Sequence, residues 1–375
     1  MAGAYCKARA QLPEALLRDL AGGLGRDLED AAPDSWRWHK RRVFLVDGSK
    51  VLLPDTPENQ NAYPQSGQQK PGLGFPQLRV VVVLGLATAG LIDAAFGPGK
   101  GKHTGETALF RQLLGSLRKG DVVVADRYYC SYWLVARLRQ RGVDVAFRLH
   151  QRRRYDFRRG KRLGRSDHVV SWAKPARPGW VDEPTYADLP ERLEVRELRF
   201  AVDRPGYRSR QIVVATTLAD ALAYPKAEVA DLYHGRWHVE LDLRSLKQAL
   251  AMEMLTCKTP AMARKEAWAH FLAYNLVRQV MAEAARAGQC KPRALSFAGA
   301  QQTLEAFRWL LLLAEPGAWR QQIVAALRAA VGTHRVGNRP GRIEPRAVKR
   351  RPKEYDRLME PRAQARAKLV GATNG

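Results

Sequence analysis

The sequence predicts an α/β fold in which helices flank a mixed sheet, and three observations lead to this fold class. Within residues 41–150, apolar runs of strand length alternate with helical patterns in the order strand, strand, strand, helix, strand, helix, strand. Residues 151–226 are irregular and basic, with strand candidates at LEVRELRF and RQIVVATTL. Helical patterns dominate from residue 227 onward. We therefore expect an α/β core, a β-rich insertion and a helical C-terminal part.

The elements of the core follow from local patterns. A helix is predicted for PEALLRDLAGGLGRDLED, although Gly22 and Gly23 weaken it. The β-branched run RRVFLVDGSKVLL predicts a buried strand that ends at Asp47 and Gly48, and DVVVADRYY predicts another that ends at Asp126. The remaining core segments are a hairpin formed by QLRVVVVLGLA and GLIDAAFG, helices at HTGETALFRQLLGSL and SYWLVARLRQRG, and a strand at VDVAFRLH.

The chain divides into five predicted parts. They are a short helical N-terminal segment (1–40), the first part of the α/β core (41–150), the basic β-rich insertion (151–226), the closing helices of the core (227–330) and a basic tail that we expect to be flexible (331–375). The helices of the last third are predicted for RKEAWAHFLAYNLVRQVMAEAARAG, TLEAFRWLLLLAE and WRQQIVAALRAAV.

The charge balance predicts a polyanionic partner. The 63 Lys and Arg residues exceed the 37 Asp and Glu residues by 26, far beyond what solubility requires. The excess is uneven, because Arg152 to Arg165 carries eight cations against one acid. Nucleic acid is the leading partner, and cations that meet its phosphates would make binding sensitive to salt. The alternative at this point is a generally basic chain whose arginines only contact water.

Composition argues against a membrane protein and against a secreted, disulfide-rich protein. No window reaches 18 uncharged apolar residues, and the first residues lack the apolar core of a secretory signal. The four cysteines are far apart in sequence and form no CxxC pair, which excludes a disulfide framework and a thiolate zinc site: Cys6, Cys130, Cys257 and Cys290. We expect a cytoplasmic protein associated with the nucleoid, with reduced and mostly buried thiols.

One amphipathic segment, residues 231–250, carries polar side chains along a single edge. At 100° per residue, Tyr233, Arg236, Glu240 and Lys247 fall within one narrow stripe of a helix. A stripe of leucine and valine lies directly beside it, so the polar edge borders the core. Most charged helix faces only contact water, and they usually lie opposite the core. The position of this edge instead indicates a functional role.

Three carboxylates of the sequence are predicted to meet. Asp47 and Asp126 end buried strands, where α/β sheets expose functional groups, and Glu240 lies on the polar helix edge. Two carboxylates about 4 Å apart repel by roughly 4 kcal/mol at an effective dielectric of about 20, so a cation is needed. Oxygen ligands without thiolates favour two Mg²⁺ ions, with Mn²⁺ as a substitute, and two such ions support phosphodiester displacement. The predicted DNA contacts are Tyr233, Arg236, Lys247, Arg127, Arg244, Lys100 and Lys102.

The motif Tyr233-x2-Arg236-x3-Glu240-x6-Lys247 resembles the YREK signature of the insertion-sequence-four family of DDE transposases. Asp47 in LVDGS and Asp126 in ADRYY look like the first and second catalytic aspartates of that family, and the similarity extends from about residue 43 to 276. The resemblance implies an RNase H-like core, Mg²⁺-dependent cleavage at the 3′ ends of a transposon, strand transfer into target DNA in a cut-and-paste reaction, and a homodimer on paired ends.

One feature departs from the family pattern. Family members usually carry a helical end-binding domain before the first aspartate, whereas 46 residues precede Asp47 here. We therefore expect a shortened end-binding region, with recognition of the terminal repeats weakened or moved to the insertion and the basic C-terminal third. Two other functions stay open: a catalytically inactive DNA-binding remnant or repressor, and an RNase H-like nuclease on structured DNA.

Several weaker signals are set aside. GPGKGKHTGE misses the phosphate-loop pattern by one residue, although Lys100 or Lys102 could still touch a DNA phosphate. His234 and His238 have zinc-pair spacing but no third ligand. Packing is preferred over base stacking for Trp237, and the two are weighed equally for Trp172 and Trp180. Surface or helix-cap roles are preferred for Glu106 and Asp93.

Overall fold

The computed structural model describes residues 2–101, 104–201, 211–337 and 359–373, and these residues form one mixed sheet of nine strands with helices on both faces. The strands are β1 (Val43–Leu52), β2 (Gln77–Gly85), β3 (Leu91–Pro98), β4 (Val122–Ala125), β5 (Asp144–Arg148), β6 (Lys161–Gly164), β7 (Asp167–Ala173), β8 (Arg192–Ala201) and β9 (Gln211–Thr216). Their spatial order is β3-β2-β1-β4-β5-β9-β8-β7-β6.

The helices surround this sheet. They are α1 (Ala2–Gln11), α2 (Glu14–Asp30), α3 (Pro57–Ala62), α4 (Glu106–Gln112), α5 (Tyr132–Gln140), α6 (Glu183–Asp188), α7 (Lys226–His234), α8 (Trp237–Arg244), α9 (Pro260–Ala287), α10 (Phe297–Leu313), α11 (Ala318–Thr333) and α12 (Arg362–Thr373). A π-helical turn, Ser245–Ala249, follows α8. Across the ranges that the structure describes, no helix combines the length and apolar character that a bilayer crossing requires.

The sheet separates two hydrophobic cores because the side chains of β1 alternate between its faces. Leu45 belongs to the core under α7 to α11, whereas Phe44 and Val46 belong to the core under α4 and α5. On the first face, Trp268 and Phe271 of α9 pack against Phe96 of β3. The layers agree with the predicted α/β class of a mixed sheet flanked by helices.

The strands of residues 151–226 extend the core sheet. β9 pairs antiparallel with β5, and β8, β7 and β6 follow in turn. The sequence predicted β8 and β9 but not the hairpin of β6 and β7. The hairpin was missed because β6 is short and largely exposed, with the basic sequence KRLG, and therefore lacks an apolar period.

Two predicted elements differ from the structure. β1 does not end at Gly48, because it pairs with β2 along its whole length as far as Leu52. The segment 231–250 is not one uniform helix. Backbone bonds tighten to i−3 around Gly235, where Arg236 N bonds Tyr233 O at 3.0 Å, and they widen to i−5 at the π-helical turn. Residues therefore do not rotate by a uniform 100° along the segment.

Glycines near the middle of α2 allow it to approach β3. A Cβ atom on Gly25 would lie 1.9 Å from the Leu91 carbonyl oxygen, whereas a Cβ on Gly23 would meet nothing within 4 Å. Gly25→Ala is expected to lower the free energy of unfolding by about 1–3 kcal/mol through overpacking. The control Gly23→Ala is expected to raise it by about 0.5–1 kcal/mol through helix propensity. Urea denaturation measures both, and a stabilising Gly25→Ala would contradict the close approach.

Candidate active site

The parallel pairing of β1 with β4 aligns Asp47 with Asp126. The last parallel pair is Val46 with Ala125, and the two aspartates come next on each strand. Asp126 follows β4 directly, as predicted, and its side chain accepts the Arg127 N–H as a helix cap. Asp47, by contrast, lies inside β1, where the parallel ladder ends and only the pairing with β2 continues. Its side chain accepts the N–H of Gly48 at 2.8 Å.

Arg236 connects Asp47 with Glu240. Its Nη2 donates to Glu240 Oε1 at 2.9 Å, and its Nη1 lies 3.9 Å from Asp47 Oδ2. Glu240 keeps 44% of its side-chain surface exposed, whereas the arginine is mostly buried. A cleft of about 300 Å³, which we call the active-site cleft, lies in front of them; it is lined by Asp47, Gly48, Ser49, Glu240, Leu243, Arg244, Lys247, Gln248 and Glu253. Two of the three predicted carboxylates therefore share one cleft.

The surroundings of Asp47 favour its neutral form. Burial raises the pKa of this carboxyl to about 6, and the negative charges of Glu106 and Glu240 add to the effect. The Gly48 N–H and the Arg236 guanidinium act in the opposite direction and lower the pKa. Burial of Asp47 therefore outweighs the stabilisation of its ionised form by the Gly48 N–H and the Arg236 guanidinium.

The raised pKa of Asp47 predicts a pH-dependent effect on stability. The pKa of an aspartate carboxyl is ordinarily 3.8, and folding raises that of Asp47 to about 6. Ionisation of Asp47 therefore destabilises the folded chain progressively between about pH 4 and pH 6, and fully above that range. Asp47→Asn removes that cost and is expected to raise the free energy of unfolding at pH 7.5 by up to about 3 kcal/mol without added metal. The gain should disappear below about pH 4, where both states are protonated. Urea denaturation in EDTA measures this, and a variant less stable than the wild type at pH 7.5 would contradict it.

Glu106, for which the sequence analysis preferred a surface or helix-cap role, lies close to Asp47. It begins α4, but its side chain lies against β1: a Cβ on Gly48 would be 2.4 Å from Glu106 Cδ. The Tyr129 hydroxyl donates to Glu106 Oε2 at 3.5 Å. Burial and the nearby carboxylates raise the pKa of that tyrosine. No sequence signal indicated this proximity, because it depends on how α4 packs on the sheet.

The donor atoms at the cleft suit a hard divalent cation, since carboxylate oxygens are the ligands that Mg²⁺ and Mn²⁺ prefer. Within the described residues, however, no three His, Cys, Asp or Glu side chains are grouped closely enough to hold a metal ion. Asp126 is not among the residues that line the active-site cleft. The Arg236 guanidinium occupies the position of a bridging cation between Asp47 and Glu240.

The predicted DNA contacts fall into different environments. Lys247 and Arg244 line the active-site cleft. Tyr233, predicted to bind a DNA phosphate from the polar edge beside the core, is only 3% exposed; its ring contacts Phe200 and its side chain hydrogen-bonds with Arg236. Burial raises its pKa to about 12.

Arg127 and Lys100, two other predicted contacts, do not line the cleft. Arg127 Nη1 donates to Gln151 Oε1 at 3.0 Å beside Asp126, and its Nε lies 3.9 Å from Asp126 Oδ1. Lys100 is exposed in the glycine-rich turn, where its side chain lies about 3.5 Å from a Cβ built on Gly67. Lys102 lies outside the described residues.

The aromatic and acidic residues weighed in the sequence have structural neighbours. Trp172 is buried, with Arg153 over its ring at 3.7 Å, and Trp180 is partly exposed, with Arg111 over its ring at 3.9 Å. Asp93 forms an ion pair of 3.1 Å with Arg18 of α2. His234 contacts the Phe200 ring, and Arg236 lies over the Trp237 ring at 4.9 Å. Two of the four free thiols, Cys130 and Cys257, are buried.

Comparison with known proteins places this chain in a family. The family described as "Transposase DDE domain" matches residues 38–276, more than half of the chain. This chain therefore belongs to the DDE transposases, a family that cleaves and joins DNA with the help of divalent metal ions. The matched residues contain Asp47, Asp126 and Glu240.

A relative with a similar sequence indicates which kind of DDE transposase this chain is. The transposase InsG for insertion sequence element IS4 of Escherichia coli (strain K12) is 29% identical over 361 residues, which cover 94% of this chain and 77% of the relative. Together with the family match, this makes the chain an insertion-sequence DNA transposase of the IS4 family, as the YREK resemblance predicted.

A solved structure is also similar. It is the piggyBac transposase synaptic complex with hairpin DNA, at 11% identity and a TM-score of 0.39. The alignment covers 80% of this chain but 58% of that chain, which is less than two thirds of its length. At that TM-score the likeness does not establish a shared fold.

Proposed function

We propose that Asp47, Asp126 and Glu240 are the catalytic carboxylates of this transposase and hold two Mg²⁺ ions, for which Mn²⁺ substitutes. The observation that carries the proposal is the arrangement around β1. Arg236 contacts Asp47 and Glu240 at one cleft, and the register of β1 with β4 aligns Asp126 with Asp47. The three residues also coincide with the YREK-type motif of the sequence.

The side chains at the active-site cleft have different roles in this proposal. The bound ions would activate a water or a 3′ hydroxyl and stabilise the leaving oxygen of the phosphodiester. Lys247 and Arg244 bind DNA phosphates at the cleft, where their charge positions the strand. Arg236 compensates the charges of Asp47 and Glu240, and its guanidinium would be available to a DNA phosphate if bound divalent ions supplied that compensation.

The fold and the assembly are part of the same proposal. The order β3-β2-β1-β4-β5, with β2 antiparallel to its neighbours and β4 and β5 parallel to β1, supports an RNase H-like core. β6 to β9 then form the insertion before the helix that carries Glu240. The net charge of +26 supports binding to double-stranded DNA, both transposon ends and target. Two copies, each bound to one end, would form a homodimer on paired ends.

A cleavage assay tests the proposal. The purified chain is incubated with DNA that contains the sequences flanking its gene, with Mg²⁺, with Mn²⁺ or with EDTA. We expect nicks at the 3′ ends of the element and joining of those ends to a target plasmid, with either metal ion but not in EDTA. Cleavage in EDTA, or Mg²⁺-dependent cleavage that ignores the terminal sequences, would contradict it. The latter result would instead support a nuclease on structured DNA.

A second candidate, a DNA-binding remnant without catalysis, is favoured by one observation. Over the described part of the chain, no three potential ligands form a metal-binding group, and Arg236 bridges two of the carboxylates. Such a protein would bind DNA equally well with and without Mg²⁺ and would not nick it, so the same assay separates the two candidates.

A further inference from the structure

A second cleft lies on the other side of α8 from Glu240. It has a volume of about 610 Å³, within the range of ligand sites, and its walls come from α8, the π-helical turn, α9 and the start of α10. Arg244 and Gln248 line both this second cleft and the active-site cleft. Arg244 Nε donates to Gln248 Oε1 at 2.8 Å, so the two side chains form a polar ridge between the clefts.

The second cleft carries an excess of positive charge. Arg278 and Arg293 line it, and both pair with the single carboxylate of Asp242, at 2.7 Å and 2.9 Å. Two guanidiniums on one carboxylate leave a net charge of +1, and Arg244 on the ridge adds another. Ser296 lines the opposite wall and contributes a hydroxyl. An anionic ligand that reaches this cleft is therefore attracted by fixed charges in a partly desolvated site.

We propose that the second cleft binds a sugar-phosphate unit of the DNA strand that passes through the active-site cleft, with the strand crossing the Arg244–Gln248 ridge. The inference rests on the proposed function for the identity of the ligand, because a strand held at Glu240 must leave along one side of α8. The shared ridge makes the second cleft continuous with the active-site cleft, and the positive charge of the second cleft is complementary to a phosphate.

A matched pair of substitutions at Ser296 tests the proposal without disturbing the helix. Ser296 caps α10 by accepting the Gly299 N–H at 3.2 Å, and Asp and Asn cap helices as well as Ser does. Ser296→Asp places a negative charge on the wall of the second cleft, whereas Ser296→Asn has nearly the same shape without the charge. The full chain is titrated in EDTA against a fluorescent duplex of about 30 base pairs at several NaCl concentrations, with fluorescence anisotropy as the readout.

Ser296→Asp is expected to bind the duplex about tenfold more weakly than Ser296→Asn and to lower the salt slope by about one. The pair Leu222→Glu and Leu222→Gln, at an exposed position that lines neither cleft, measures the long-range effect of one added acid and should differ by less than about twofold. Equal affinities for the two Ser296 variants would overturn the proposal.

A second pair keeps the test decisive if Ser296→Asp fails to fold. Leu241 lines the second cleft and is 55% exposed, so Leu241→Glu and Leu241→Gln are tolerated sterically. The same difference in affinity is expected, and its absence would overturn the proposal. The binding readout needs neither metal nor cleavage. If the wild-type chain nicks DNA but the two members of each pair bind the duplex with equal affinity, only the proposal for the second cleft is contradicted. If the chain never nicks DNA but the members of each pair differ in affinity, only the catalytic proposal is contradicted.

Discussion

Glu240→Gln is expected to abolish metal-dependent DNA cleavage, with a rate at least about 10³-fold below the wild type, equivalent to about 4 kcal/mol of activation free energy. The substitution keeps the shape of the side chain and removes the negative charge at the active-site cleft. Without that charge the cleft loses one of the ligands proposed to hold the divalent ions, and the amide is a much weaker ligand for Mg²⁺. Single-turnover nicking of a DNA end at saturating Mg²⁺ measures the rate.

Glu253→Gln is the matched control for this experiment. Glu253 is a carboxylate that lines the same cleft, but it lies outside the contact of Arg236 with Asp47 and Glu240. The control should cleave within about threefold of the wild type, since a surface charge change has a small electrostatic effect. An active Glu240→Gln chain would remove Glu240 from the catalytic site.

Asp242→Ala is expected to have the largest effect on stability, a loss of about 3–5 kcal/mol in the free energy of unfolding. Asp242 is 1% exposed and pairs with Arg278 and Arg293, both of which are mostly buried. Its removal leaves two buried guanidiniums without a counter-charge. The ion pairs of Asp242 with the two arginines also connect α8, which carries Glu240, to α9 and to the loop before α10. Substitution of Asp242 should therefore loosen α8 as well.

Urea denaturation at pH 7.5 measures this loss against Asp231→Ala. Asp231 lies on α7, is largely exposed, and its carboxylate lies 3.8 Å from the His234 ring. Its substitution should change the free energy of unfolding by less than about 0.5 kcal/mol. An Asp242→Ala chain as stable as Asp231→Ala would show that the two arginines are solvated in the folded protein and do not depend on Asp242.

The sequence predicted those parts of the fold whose signal is local. The apolar runs of β1, β2, β3 and β4 each appeared as strands, and α2 appeared as a helix because its apolar period spans 17 residues. Its glycines weakened that prediction, yet Gly25 is required by the contact with Leu91. Tertiary packing, which no local pattern contains, overrode the helix propensity.

The parts of the candidate site that the sequence missed depend on packing between distant elements. Glu106 reaches Gly48 only because α4 lies across β1. Tyr233 is buried because α7 packs it against Phe200 of β8, whereas the predicted stripe considered the helix alone. Arg236 contacts Glu240, as residues four apart on a helix can, whereas the sequence analysis assigned this arginine to a DNA phosphate.

The central claim is that Asp47, Asp126 and Glu240 together hold divalent ions, and a crystal structure of the chain grown with Mn²⁺ tests it most directly. Anomalous scattering at the manganese edge locates the ions without ambiguity. We predict manganese bound to oxygens of all three carboxylates at about 2.2 Å, with Arg236 displaced from Glu240. Manganese bound elsewhere, or Arg236 still bridging Asp47 and Glu240 at saturating Mn²⁺, would contradict the claim.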